Sequence, residues 1–376
     1  MYRKKIVDLK IIIPFLIFFM ISLLSIKSAS LYTSSSLGNL VVKQAIWYGI
    51  GIFLIIIIIF LKNKFLYNYV HVFYIVCNIL LGLLLFFAPP INNSKCWFII
   101  PGIGSFQPSE FMKIAIMLEL SVMIKSYHYK YQSPSITDEL FFLFKTFIVV
   151  LIPAVLTFLE PDTGSVIMYL VIYFSMLLIS GIRARWFITT GIIMVILVSI
   201  VFVLYFFYSD KFISIFGTNL FYRLDRIFEW KSGSGLQLEN ALSAIGSSGV
   251  VGYGFNKTPI YFPEASTDFI FAVFSSNFGF ILTLAFIGVL LFFDVYIILL
   301  MKRKIDLSDK FVLAGISSCL IFQQVQNIGM TIGIFPITGI TLPFISYGGS
   351  SLLSYMIMLG IILNISKENE IKYLKT

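Results

Sequence analysis

Charge is what this chain has least of. Only 12% of its 376 residues are Asp, Glu, Lys or Arg, whereas 59% are hydrophobic and 40 are Phe. A water-soluble domain of this length needs far more charge on its surface, which excludes a soluble fold. Histidine is nearly missing. His71 and His128 fall in or beside segments assigned below to the inner side, so a histidine base on the outer face is excluded. Cysteine is equally sparse: Cys77, Cys96 and Cys319 are scattered without CxxC spacing, and two sit in apolar stretches. Neither a disulfide framework nor a cysteine metal site is expected. No small-residue cleavage site follows the first apolar run, which is too long for a signal peptide and is read as a retained span.

What the chain does have is apolar length. Stretches near 11–31, 44–61, 70–89, 109–126, 140–159, 163–181, 186–208, 268–300, 309–335 and 345–365 are long enough to cross a bilayer. They predict an all-α membrane protein of about ten transmembrane helices, in one polytopic domain spanning 1–376. The eighth stretch exceeds one crossing, so it tilts or bends at Gly279. Lys and Arg gather on alternate connections: Arg3 to Lys10, Lys62 and Lys64, Lys125 and Lys130, Arg183 and Arg185, Lys302 to Lys310, and Lys367 to Lys375. The opposite connections hold fewer, so both ends are expected in the cytoplasm. The same bias accounts for the net charge of +9 without invoking nucleic acid. The one long connection, 209–267, then lies outside, and a loop of that length in a compact protein calls for a function.

An ionised side chain at the bilayer centre costs about 2.5–3.5 kcal/mol on insertion scales, so charges inside or beside spans invite a functional reading. SFQPSEFMKIAIMLEL opens a helix with Pro108, Ser109 and Glu110, and Glu110 shares a face with Lys113. That pair either neutralises itself or binds polar substrate. Trp97, beside Lys95 in an outer loop, is either an interfacial anchor or a platform for a sugar. FLEPDTGSV puts Glu160 and Asp162 in a tight outer turn, where two acids either hold a divalent cation or favour a helix start. In FYRLDRIFEW, Arg223 and Arg226 form surface ion pairs or grip phosphate oxygens. AIGSSGVVGYG matches neither a Rossmann nor a P-loop pattern; its glycines suit a turn whose backbone approaches a ligand. FPITGITLPFISYGGSSLLSYM predicts a broken or re-entrant segment lining a cavity, or close helix packing through small residues. Finally, YFPEASTDFIFAVF sets Glu264 and Asp268 before an apolar run, where Thr267 and Asp268 also read as ordinary helix caps.

Several of these stretches, in order, resemble the SEDS family of polytopic proteins that includes FtsW, RodA and SpoVE. They are SAS (28–30), KQAIW (43–47), QPSEFMK (107–113), EPDTG (160–164), YRLDRI (222–227), ENALSAIGSSGVVGYGF (239–255), PEASTDFIFAV (263–273) and TGITLPFISYGGSSLL (338–353). The resemblance implies a peptidoglycan glycosyltransferase of the bacterial inner membrane that polymerises lipid II, the undecaprenyl-pyrophosphate-linked disaccharide-pentapeptide. It implies Asp268 as the essential acid in an outward cavity. It also implies a class B penicillin-binding protein as working partner, among other divisome or elongasome proteins. SAS, PEA and GITLP lean towards the FtsW branch.

Substrate contacts are then expected from Glu264, Lys113, Glu110, Trp97, Lys95, Arg223, Arg226, Gln237, Ser346, Gly348, Gly349 and Ser350. A divalent cation, Mg or Mn, is expected at Glu160 and Asp162. Three positions depart from the family pattern: Cys96 stands for an Arg, Ser266 for a His, and Ser275, Ser276 and Asn277 for an acidic pair. The last change removes carboxylates expected to tune the cavity or hold a cation. A lipid II flippase and a non-catalytic scaffold for the transpeptidase are the competing readings.

Overall fold

The computed structural model describes residues 8–30, 39–90, 94–100, 104–218, 221 and 236–372, with side chains through Lys367. Its helices, in chain order, are α1 (Leu9–Ala29), α2 (Leu40–Asn68), α3 (Val70–Phe87), α4 (Pro108–Lys130), α5 (Ile136–Leu159), α6 (Thr163–Ile179), α7 (Ala184–Phe207) and α8 (Ser209–Phe216). They continue with α9 (Leu236–Ser247), α10 (Ile270–Lys302), α11 (Leu307–Thr331) and α12 (Gly349–Lys372). Local signals set several helix starts. Asp8, Asn39 and Asp306 accept backbone N–H bonds at the starts of α1, α2 and α11, and Ser135 with Asp138 forms a capping box on α5.

Eight of these helices are long and apolar enough to cross a membrane: α1, α2, α3, α5, α7, α10, α11 and α12. The two remaining predicted spans are α6, which has only 17 residues, and α4. Helix α4 carries Glu110, Lys113, Glu119 and Lys125, yet residues 112–121 are all buried. Glu110, Lys113 and Glu119 are enclosed by protein rather than by lipid, where pairing makes them tolerable. Lys113 meets Glu110 at 2.7 Å, and Glu119 meets His71 at 2.8 Å.

Helices α4, α6, α11 and α12 form the centre. Helix α12 packs along α2, while α11 packs on α4, α6 and α10. Helix α7 stands apart: of its residues only Tyr205 is buried, and its main contact is with α8. One exception to the all-α expectation is a short antiparallel hairpin, β1 (Phe98–Ile100) with β2 (Gly104–Phe106), in the register Phe98↔Phe106, Ile99↔Ser105 and Ile100↔Gly104.

At about 1.5 Å per residue, α10 would reach about 50 Å, well beyond a bilayer core of about 30 Å. It breaks at Gly279, whose φ of 71° and ψ of −175° leave the helical region. The bend expected there is real. The glycine-rich segment 249–254 fills the break. The N–H groups of Tyr253 and Gly254 donate to the carbonyls of Ser276 (3.0 Å) and Asn277 (2.9 Å), while those of Phe280 and Ile281 donate to Gly249 (3.1 Å) and Val250 (3.3 Å). Backbone groups freed by the break are thereby satisfied. A Cβ at Gly252 would fall on the backbone of Asn277 and Gly279, so both glycines are required for this approach. The expected ligand of this segment is thus replaced by a helix of the same chain.

Candidate active site

A cavity of about 630 Å³ opens at one end of the bundle between α2, α4, α6, α11, α12 and the turn that precedes α10. The charge-bearing turns of the sequence converge on it: Trp97, Glu110, Lys113, Asp162, Glu264, Asp268, Gly348, Gly349 and Ser350 all line its wall. The irregular segment 332–348 between α11 and α12 supplies Thr338 to Thr341 and Tyr347, as expected of a broken segment facing a cavity.

The start of α4 is a connected polar wall. Trp97 Nε1 donates to Gln107 Oε1 (3.2 Å), and Gln107 Nε2 donates to Asp162 Oδ2 (3.0 Å). Ser350 Oγ accepts from the Gln107 N–H (2.9 Å) and donates to the Ser105 carbonyl (3.1 Å), tying the hairpin to α12. Glu110 Oε2 accepts from Lys113 (2.7 Å) and Ser354 Oγ (2.9 Å), and the Lys113 ammonium lies 5.5 Å from the Tyr355 ring centre. An ammonium so enclosed offers fixed positive charge towards the cavity with little reorganisation.

Asp268 sits on the far wall. It does not cap α10, whose first-turn flank is Phe269 with no side-chain cap bond. Among the described residues no side-chain hydrogen bond reaches its carboxylate, which is half-buried and faces the cavity. Burial, and secondarily the charge of Glu264, pushes its pKa up to about 7. Glu264 is exposed and left-handed at φ 53°; its carbonyl accepts from the Thr267 and Phe269 N–H groups, and its Oε2 accepts from Thr267 Oγ1 at 2.7 Å.

Asp162 and Glu160 have a different character. Asp162 caps α6 by accepting from the Ser165 N–H (3.0 Å), and its Oδ2 takes bonds from Gln107, Ser109 (3.1 Å) and Ser165 Oγ (2.7 Å). Glu160 is fully buried, and among the described residues neither carboxyl oxygen has a hydrogen-bond partner. Burial, then the neighbouring Asp162, pushes its pKa up to about 8, so it is mostly protonated at neutral pH. A protonated acid beside a carboxylate saturated by donors is a poor donor set for a divalent cation. Among the described residues no cluster of three His, Cys, Asp or Glu is placed for a metal. The cation expected at this pair does not fit these residues.

Other expected residues lie elsewhere. Lys95 turns its ammonium to the Leu85 carbonyl (3.2 Å) and stays off the cavity wall. Gln237 sits on α9, also off the wall. Ser346 faces the protein, donating to the Thr267 carbonyl at 2.6 Å. Arg223 and Arg226 fall outside the described residues. The three departures prove local. Cys96 Sγ is buried against the Glu160 carbonyl at 3.0 Å. Ser266 is buried, and its carbonyl accepts from the Tyr347 N–H. Ser275, Ser276 and Asn277 are buried away from the cavity, and Asn277 Oδ1 accepts from Thr258 Oγ1 at 2.7 Å. Their replacement of acids therefore takes no carboxylate from the cavity wall.

Conversely, Lys43 and Trp47 of α2 line the cavity although spacing alone did not select them. Their signal was the KQAIW stretch at the outer end of a span. A Cβ on Gly349 would strike the Trp47 indole, so that ring lies flush against backbone.

The described cell cycle protein family of FtsW, RodA and SpoVE matches residues 8–371. The peptidoglycan glycosyltransferase MrdB of Helicobacter pylori (strain ATCC 700392 / 26695) is 34% identical over 367 residues, covering 94% of this chain and 89% of that protein. The probable peptidoglycan glycosyltransferase FtsW of Haemophilus influenzae is 30% identical over 380 residues, covering 95% and 89%. A chain solved under the description "Structural coordination of polymerization and crosslinking by a peptidoglycan synthase complex" superposes with a TM-score of 0.79 at 22% identity, over 96% of this chain and 98% of that one.

Proposed function

This chain belongs to the cell cycle protein family of FtsW, RodA and SpoVE, and on that premise we propose that it is a peptidoglycan glycosyltransferase polymerising lipid II into glycan strands. The observation that carries the reading is Asp268, a carboxylate that opens into the cavity with no side-chain partner among the described residues and whose pKa burial pushes up to about 7.

The reaction joins a sugar hydroxyl to the glycosyl carbon of a second sugar and releases undecaprenyl pyrophosphate. A hydroxyl is a weak nucleophile, and a positioned general base typically contributes about 10²–10⁴-fold. Asp268 takes the hydroxyl proton as the new C–O bond forms and the bond to pyrophosphate breaks. A base with a pKa near 7 is both ionised often enough and basic enough for this task. Negative charge grows on the departing pyrophosphate. Lys43 and Lys113 on the cavity wall are the chain's own cations for it, with Arg223 and Arg226 as further candidates. Lipid tails hold both substrates in the membrane plane and supply much of the orientation.

We further propose the bacterial inner membrane as its location, with both ends cytoplasmic. Lys62 and Lys64 near the end of α2, Lys125 and Lys130 near the end of α4, Arg183 and Arg185 at the start of α7, and Lys302, Arg303 and Lys304 at the end of α10 lie at the helix ends opposite the cavity, which supports this. A class B penicillin-binding protein is the proposed cross-linking partner, supported by the synthase complex in which a similar fold was solved.

The test is lipid II polymerisation by the purified protein, with and without that partner and with and without Mg²⁺ or Mn²⁺. Asp268→Asn and Asp268→Ala are expected to make no glycan above background. Undiminished synthesis by either variant overturns the base role. Headgroup translocation in proteoliposomes with no glycan made would replace the reading with a flippase.

A further inference from the structure

Three consecutive peptide carbonyls of the acid-bearing turn are each held by a different donor. The Tyr347 N–H donates to Ser266 O (2.8 Å), Ser346 Oγ to Thr267 O (2.6 Å), and Asn327 Nδ2 to Asp268 O (2.8 Å). The first two donors belong to the irregular segment before α12. The third comes from the last turns of α11.

Asn327 does more than close this set. The same Nδ2 donates a second bond, to the Ile340 carbonyl at 2.8 Å. A primary amide carries two N–H bonds on one nitrogen, so a single side chain spans two carbonyls. Because both acceptors are carbonyls, the reversed amide would set oxygen against oxygen, and the partners fix its orientation. Asn327 is fully buried, and its Oδ1 has no partner among the described residues. Its contribution thus lies wholly in the two bonds that its nitrogen makes. Ile340 follows Gly339, where φ is +73° and an added Cβ would lie 3.7 Å from Asp268 Oδ2. The amide therefore joins the backbone of the acid to the strip of chain that faces its carboxylate.

We propose that Asn327 is a positioning residue for glycosyl transfer, setting where the Asp268 carboxylate stands relative to the 338–341 wall. The role rests on Asp268 being the base. Misplacing a catalytic group by about 1 Å can cost about 10²-fold in rate, so the loss of both bonds has a kinetic signature. A merely structural role would lower the folded fraction and nothing else.

The full-length protein supplies a matched control. Asn364 is another buried amide, near the opposite membrane face, whose Nδ2 donates to Ile58 O (2.8 Å) and Asn63 Oδ1 (3.1 Å). Asn327→Leu and Asn364→Leu are compared by two readouts: kcat and KM for lipid II polymerisation, and the pH midpoint of carbodiimide labelling at residue 268 by mass spectrometry, which needs no turnover. For Asn327→Leu, kcat is expected to fall about 10²-fold with KM nearly unchanged. Its labelling midpoint moves below about 7 as the carboxylate becomes better solvated. Asn364→Leu loses activity only in proportion to its folded fraction and keeps the midpoint. Ser346→Ala removes one oxygen and one bond of the set, and shifts both readouts the same way by a smaller amount, which tests the clamp should Asn327→Leu not fold.

The inference is overturned if the Asn327 and Ser346 variants match the wild type or the Asn364 control in both readouts. A wild type that makes no glycan, with the labelling midpoint still displaced in Asn327→Leu, overturns the enzyme reading and leaves the clamp supported.

Discussion

Two acidic turns on the same side of the membrane look alike as strings of letters and have opposite physical fates. In the 160–162 turn, Asp162 caps α6 and its carboxylate takes four hydrogen bonds, while the Glu160 carboxyl is sealed in the protein without any among the described residues. In the 264–268 turn, Asp268 does not cap α10, receives no side-chain bond among the described residues and faces the cavity. A carboxylate saturated by donors has its charge already spent on structure, and a sealed one stays protonated. A bare carboxylate at a cavity wall keeps its lone pairs for something that enters. Partner geometry, rather than the acid or its helix-start position, separates scaffold from chemistry.

The largest effect that sharpens this contrast is at Asp268. Asp268→Asn, nearly isosteric, is expected to reduce lipid II polymerisation at least about 10²-fold while leaving thermal stability close to wild type. Asp162→Asn should reverse the pattern. It loses the cap and weakens bonds from Gln107, Ser109 and Ser165, costing about 1 kcal/mol of stability in a melting experiment, with turnover per folded molecule changed only severalfold. If Asp162→Asn proved as inactive as Asp268→Asn while fully folded, the contrast would break.

Smaller effects appear against pH. If Asp268 works as a base, kcat rises with pH through about 7, because the carboxylate must lose its proton. Glu264→Gln removes the neighbouring negative charge, eases that ionisation and moves the limb to lower pH. An unmoved limb in Glu264→Gln would remove that acid as a cause.

The smallest effect is at Glu160. Its pKa is raised in the folded state from 4.5 to about 8, so its contribution to stability is full below about 4.5 and lost as pH rises to about 8. Glu160→Gln should flatten that decline in a melting series, with polymerisation and its divalent-cation response unchanged. A changed cation response would restore the metal reading of this turn.

Much of the frame was legible without coordinates, and the reason is specific. In lipid, length and apolarity constrain a helix more tightly than packing does, so the spans and the bend at Gly279 follow from run lengths and a glycine in the longest run. The Glu110–Lys113 pair follows equally from helical spacing. Less legible were features that depend on segments meeting from afar. Residues 249–254 bond to α10 across some thirty positions, and nothing within AIGSSGVVGYG names its partner. Lys95 reads as a candidate by charge and side, but its ammonium is taken by a backbone carbonyl. The cap reading of Asp268 fails because α10 starts one residue too late for its carboxylate to reach the free N–H groups.

The amino-acid string alone determined a many-pass helical membrane protein and a short roster of acids and bases at the helix ends. Those follow because water and hydrocarbon act on each stretch independently of its neighbours. Only the tertiary structure decided which acid is bare and which is occupied, since that depends on where donors from distant segments, such as Gln107 and Ser109 beside Asp162, are brought. The Asn327 bridge is the extreme case: one amide on α11 acquires its role only when the turns at 268 and 340 are folded against it.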